Sequence, residues 1–100
     1  MPEMYFDVTW PTGRRERCYS PSLVVEEHLQ VGSSYPVDEF VARARLALDS
    51  AAERVRAKYG FYCSAARDQL AHIEASAAKL TSREREGLVH IEAFERSPAR

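Results

Sequence analysis

The sequence predicts an α+β domain: a small antiparallel sheet, made of an N-terminal hairpin plus a C-terminal strand, packed by a long helical hairpin and one short helix. Three observations predict it. Apolar and polar residues alternate on both sides of Pro11-Thr12-Gly13. The stretch from Val37 to Tyr59 lacks Gly and Pro and gathers its apolar residues on one helical face. A second apolar stripe at helical spacing follows Gly60.

Glu3 to Trp10 alternates Met4, Phe6, Val8 and Trp10 with Tyr5, Asp7 and Thr9, the period of a half-buried strand. Pro11-Thr12-Gly13 supplies a fixed φ, a tolerant centre and a residue that accepts left-handed φ, the chemistry of a three-residue type I turn with a bulge. A strand over Arg14 to Tyr19 follows, and that turn sets its register. Trp10 faces Arg14, Val8 faces Glu16 and Phe6 faces Cys18 on one side; Thr9 faces Arg15, Asp7 faces Arg17 and Tyr5 faces Tyr19 on the other.

Ser20-Pro21-Ser22 carries a capping hydroxyl and a proline suited to a first helical turn, so a short helix is expected over about Ser22 to Leu29. Gln30 to Tyr35 reads as a loop. From Pro36 to Tyr59 runs the main helix: Val37, Phe40, Val41, Ala44, Ala47, Leu48, Ala51, Ala52, Val55 and Tyr59 fall within an arc of roughly 140° at 100° per residue. Arg45 and Asp49, one turn apart on its opposite flank, are expected to pair. Gly60 is a helix stop, and Phe61-Tyr62 is expected to tuck into the core. A second helix runs from Cys63 or Ser64 to Leu80, with Ala66, Leu70, Ile73, Ala77 and Leu80 inward. Charged Thr81 to Gly87 precedes a strand over Leu88 to Glu95, favoured over helix by Gly87, Val89 and Ile91.

A length of 100 residues with 45% hydrophobic and 29% charged side chains fits one folded domain, expected over 1–95 with a flexible tail over 96–100. Fourteen basic and fifteen acidic residues leave a net charge of -1, which argues against a duplex-DNA binder. Met1-Pro2-Glu3 opens acidic and the longest aliphatic run is Leu23-Val24-Val25, so a cytoplasmic location without membrane contact is expected, with Cys18 and Cys63 as reduced thiols.

Few residues carry a chemical signal. Cys63 is the candidate reactive thiol, because a helix start and Arg67 one turn later lower a thiol pKa; the competing account is a packed, inert cysteine among aromatics. Cys18 sits on the predicted core side. His28, His72 and His90 with the cysteines show no metal-ligand spacing, and the scattered glycines form no phosphate loop, so neither metal nor cofactor is expected. Asp68 one turn before His72 reads as an exposed pair. Arg43, Arg54 and Lys58 border the long helix, where they either meet nucleic acid or snorkel over the core boundary. Tyr5 and Tyr19 on the outer sheet face, with Leu46 on the polar side of the helix, are the candidate interaction surface.

Arg17-Cys18-Tyr19-Ser20-Pro21-Ser22, Tyr35-Pro36, Glu53-Arg54-Val55-Arg56-Ala57-Lys58-Tyr59-Gly60 and Cys63-Ser64 together resemble the small bacterial nitrogen starvation response protein family, over nearly the whole chain. Members are typically encoded beside a nitrilase, a flavoprotein oxidoreductase, a radical-type enzyme, an acetyltransferase and a glycosyltransferase, in clusters linked to nitrile or cyanide assimilation. The resemblance implies a non-catalytic accessory protein that binds a protein of the same pathway or self-associates. It carries no catalytic residue onto this sequence. A thiol-dependent enzyme or carrier using Cys63, and a nucleic-acid-binding regulator, are the alternatives.

Overall fold

The computed structural model describes residues 2–60 and 64–97. Strands β1 (Glu3–Thr9) and β2 (Arg15–Ser20) pair antiparallel in the register set by the turn, with Tyr5 opposite Tyr19, Phe6 opposite Cys18 and Asp7 opposite Arg17. The turn closes as its residues require. Gly13 donates its N–H to the Trp10 carbonyl at 2.8 Å, Trp10 donates to the Arg14 carbonyl at 2.9 Å, and Gly13 takes a φ of 88°.

The third strand expected from the sequence, β4 (Leu88–Ser97), lies inside the sheet, between β1 and a fourth strand, β3 (Ser34–Pro36), giving the order β2-β1-β4-β3. Gln30 to Tyr35 is therefore not all loop. Gly32 N–H donates to the Ile91 carbonyl and Ile91 N–H to the Ser33 carbonyl, each at 2.9 Å, which draws the next three residues onto β4. Pro36 has no N–H to continue the ladder, which suits a short edge strand. β4 also runs two residues past Glu95, where the sequence pattern ended it. Arg96 and Ser97 pair with Met4 and Glu3, and the Arg96 guanidinium grips Glu26 through two bonds of 2.9 and 2.7 Å.

Residues Leu23–Glu27 form a 3-10 turn, shorter and tighter than the helix expected from Ser22 to Leu29; its Val24 N–H is capped by the Ser22 hydroxyl at 3.3 Å. Helix α1 (Val37–Tyr59) buries Val37, Phe40, Ala44, Ala47, Leu48, Ala51, Ala52 and Val55, with Val41 half-buried. Tyr59 departs from the stripe. It is 49% exposed in the last turn, just before Gly60 ends the helix at φ 81° with its N–H on the Arg56 carbonyl. Helix α2 (Ser64–Ala78) buries Ala66, Ile73 and Ala77 and packs against α1, with Leu70 and Leu80 half-buried on the core. Phe61, Tyr62 and Cys63 lie outside the described residues.

Both helices cover one face of the sheet, where Met4, Phe6, Val8, Trp10, Cys18, Val89 and Ile91 meet the α1 and α2 stripes. Trp10 and Phe40 meet edge to face, centroids 5.5 Å apart at 88°, a geometry that places the positive ring edge on the negative π face. Arg45 does not pair with Asp49 on its own helix. Its guanidinium bonds Glu74 on α2, while Arg85 reaches Asp38 at 3.0 Å, so charges that local spacing assigns within a helix instead tie neighbouring elements together. No described helix is long and apolar enough to cross a membrane.

Candidate functional site

Strand alternation sends Tyr5, Asp7, Thr9, Arg15, Arg17 and Tyr19 to the face away from the helices, and β4 adds Ala93 and Glu95 to it. Between Asp7 and Val8 the β1–β4 register shifts: Asp7 faces Ala93 and Val8 faces Ile91, so Glu92 is a bulged extra residue, and it accepts the Thr9 hydroxyl at 2.7 Å. Near the centre of this face the side chains form an ordered array. The Tyr5 and Tyr19 rings stand 5.7 Å apart at 60°, and the Arg17 guanidinium lies 5.1 Å from the Tyr5 centroid. Arg17 donates to Asp7 at 2.9 and 3.2 Å and to Glu95 at 3.3 and 3.5 Å; Tyr19 donates its hydroxyl to Glu3 at 2.6 Å. Hydrogen bonding to Asp7, then to Glu95, raises the Arg17 pKa and keeps it charged. Exposed ion pairs of this kind contribute little stability, so their main consequence is positional: they hold two tyrosines and an arginine in one arrangement across three strands.

The structure thus brings Tyr5 and Tyr19 together and leaves Leu46 apart. Leu46 is 60% exposed on α1, where it lines an open groove of about 490 Å³ with Val24, Glu27, His28, Asp49 and Glu53, on the helical side of the molecule. Arg67 is exposed in the first turn of α2, and Cys63 lies outside the described residues. The basic border of α1 is engaged. Arg43 bonds Glu39 at 2.9 Å and the His28 carbonyl at 3.0 Å while covering the Tyr35 ring, Arg54 bonds Glu27 at 3.2 Å, and the Lys58 ammonium sits 5.7 Å from the Tyr59 centroid. Among the described residues no three metal-ligating side chains converge.

Sequence patterning missed a polar network at the seam between the hairpin and α2. Glu16 points to the core side opposite Val8, and its side chain is only 15% exposed. Its carboxylate is satisfied by Arg14 at 2.7 Å, the Ser76 hydroxyl at 2.9 Å and the Trp10 indole N–H at 3.2 Å. Cys18 contributes a weak donor at 3.9 Å. Burial, followed by the negative charges of Glu16 and Asp7, pushes the Cys18 thiol far up, so this buried sulfur is not a nucleophile. The only advance sign was a carboxylate on a core-facing position. A second missed pair, Ser34 hydroxyl and His90 Nδ1 at 2.8 Å, spans β3 and β4 on the open sheet face.

The model of a family described as nitrogen starvation-induced protein NitG matches residues 5–94, from within β1 to within β4. No curated protein and no solved structure matches the chain.

Proposed function

Because this chain belongs to the nitrogen starvation-induced protein NitG family, we propose that it is a non-catalytic accessory protein of a nitrogen-scavenging pathway of the nitrile or cyanide assimilation type, acting by binding a protein partner. The observation that carries this reading is the Tyr5–Arg17–Tyr19 array on the sheet face away from the helices, locked by Asp7, Glu95 and Glu3. Tyrosine and arginine are among the side chains enriched at protein interfaces. Ordering them before contact removes part of the rotamer entropy that association otherwise costs, about 0.5–1.5 kcal/mol per immobilised side chain.

The test is a pull-down of tagged protein from nitrogen-limited cells, with light scattering on the purified chain to fix its own assembly state. A pathway enzyme recovered at fixed stoichiometry, and lost when Tyr5 and Tyr19 are both changed to Ala, supports the reading; Leu46→Ala, on the other side of the molecule, is the companion variant. Turnover of a nitrile by the purified protein alone would sink it.

A further inference from the structure

We propose that the protein partner of the tyrosine array meets it with a basic surface, an arginine of that partner seated over Tyr5 between Glu3 and Glu95. The inference rests on the reading of the array as a contact surface and adds the chemistry of what it contacts. Charge on the outer sheet face carries it. The charged strand residues there are Glu3, Asp7, Glu92 and Glu95 against Arg15 and Arg17, a formal charge of -2 where the whole chain carries -1.

This excess is not neutralised within the face. One guanidinium, Arg17, serves two carboxylates, bonding Asp7 at 2.9 and 3.2 Å and Glu95 at the longer 3.3 and 3.5 Å. Glu3 accepts the Tyr19 hydroxyl, an uncharged donor, at 2.6 Å, and has no ion pair among the described residues. Glu92 and Arg15 line one depression of about 280 Å³, so those two charges offset each other at the far end of the face. The uncompensated charge therefore sits at the Tyr5 end.

Register gathers it around one ring. Glu95 stands directly across from Tyr5, and Glu3 is two residues back on β1, on the same side of the sheet. Diagonal neighbours of this kind are about 7–8 Å apart, a span that one guanidinium can bridge. The Glu95 side chain is 61% exposed, and Glu3 and Tyr5 are half-buried. Arginine fits this place better than lysine, because its planar fork donates to two carboxylates at once and stacks on an aromatic face. Two other occupants meet like charge: a second copy presents the same acidic face, and nucleic acid presents a line of phosphates.

Isotope-labelled full-length protein is titrated with the capped peptide Ser-Arg-Ser-Arg-Ser-Arg, with the same peptide carrying Glu for Arg, and with free arginine, following backbone amide resonances. The Arg peptide is expected to saturate, to shift the amides of Tyr5, Tyr19 and Glu95 but not those of Leu46 and Asp49, and to weaken with added salt. Glu3→Gln with Glu95→Gln, which keeps an acceptor at both positions, is expected to weaken binding about tenfold. Asp49→Asn, on the helical side, is expected to leave it unchanged. Absence of saturation, an equal response to the Glu peptide, shifts centred away from Tyr5, or insensitivity to the paired substitution overturns the proposal. Free arginine saturating at the same concentration as the peptide overturns it in favour of a small-cation site. Light scattering that shows a dimer lost with Tyr5→Ala overturns it in favour of a second copy. A partner captured from nitrogen-limited cells through Tyr5 and Tyr19, yet unaffected by the paired substitution, refutes the basic contact and leaves the array's binding role intact.

Discussion

Gly87→Ala tests the packing that holds the hairpin turn against the entry to β4. Gly87 has φ −82° and ψ −172°, an extended conformation open to any residue, so its backbone does not demand glycine. Its neighbours do. A Cβ at this position would stand 2.7 Å from Pro11 Cβ, 3.2 Å from Pro11 Cγ and 3.3 Å from the Glu84 carbonyl oxygen. Carbon atoms pack at about 3.5–4.0 Å, so the two segments must separate by roughly 1 Å. Neither moves freely: Pro11 sits in a turn closed by the Trp10, Gly13 and Arg14 bonds, and the Gly87 N–H is tied to the Glu84 carbonyl at 3.0 Å. Overpacking of this kind costs about 1–3 kcal/mol, and a 100-residue domain loses about 4–8 °C in Tm per kcal/mol. The assay is urea and thermal unfolding of a double-mutant cycle with Pro11→Gly, which removes the opposing ring. Pro11→Gly alone is expected to cost about 0.4–1 kcal/mol through the entropy of the unfolded chain. In that background Gly87→Ala is expected to lose most of its penalty. An equal cost in both backgrounds, or no cost with Pro11 present, refutes the steric account.

Phe40→Ala, which removes a fully buried ring and its edge-to-face contact with Trp10, is expected to cost about 3–5 kcal/mol in urea unfolding. In a Cys63→Ser background, a thiol reagent is expected to leave Cys18 untouched in the folded protein and to react with it fully in denaturant. Because the folded Cys18 pKa is raised, its protonated form is favoured by folding. Stability is thus complete below the unfolded value of 9.0 and falls as pH rises above it, by at most about 1.4 kcal/mol per pH unit. Comparison with Cys18→Ala from pH 8 to about pH 10 reads this directly. Glu26 behaves in the opposite sense: bonding to Arg96 lowers its pKa against a smaller opposing effect of burial, so its stabilisation is present above 4.5 and lost as pH falls through the depressed folded value. Glu26→Gln is expected to flatten the acid limb of the stability profile, and an unchanged limb would remove the Arg96 clamp from the account.

The hairpin was legible to the residue because Pro11-Thr12-Gly13 fixes loop length, and loop length fixes which side chains oppose. The α1 stripe was legible for the same kind of reason, since 23 residues give the helical period room to declare itself. A three-residue strand cannot show an alternation, and β3 exists only because β4 returns beside it from more than fifty residues away. Arg45 shows where a local rule loses. Asp49 is one turn away in sequence, yet Glu74 comes within reach when α2 packs on α1. Thr81 and Glu84, whose side chains each accept the other's N–H at 3.1 and 2.8 Å, carry a readable capping-box spacing within a segment whose charge alone is conspicuous in the sequence. Of the candidate surface, Tyr5 with Tyr19 followed from register. Glu16 did not, because its donors come from Trp10, Arg14 and the distant Ser76.

The tyrosine array and the Glu16 network converge on β2, and its position explains why the array offers a partner side chains rather than a strand edge. β2 is an edge strand, and an edge presents unpaired N–H and carbonyl groups to any passing chain. Tyr19 N–H points away from β1, toward Gln69, and antiparallel alternation sends the backbone groups of Arg17 and Arg15 to that same free edge. Gln69 closes one of these positions, and the two exposed arginines place like charges along the rest, which disfavours pairing with a second copy of β2. The alternation that blunts the edge also sorts its side chains. Arg17 and Tyr19 join the outer array, while Glu16, on the inner side, organises Arg14 and Trp10 at the α2 seam. One six-residue strand thus orders both the array and the Glu16 network. Variants of Arg17 and of Glu16 therefore separate the two networks: the first disturbs the array while Gln69 still caps the edge, and the second loosens the α2 seam without touching the outer face.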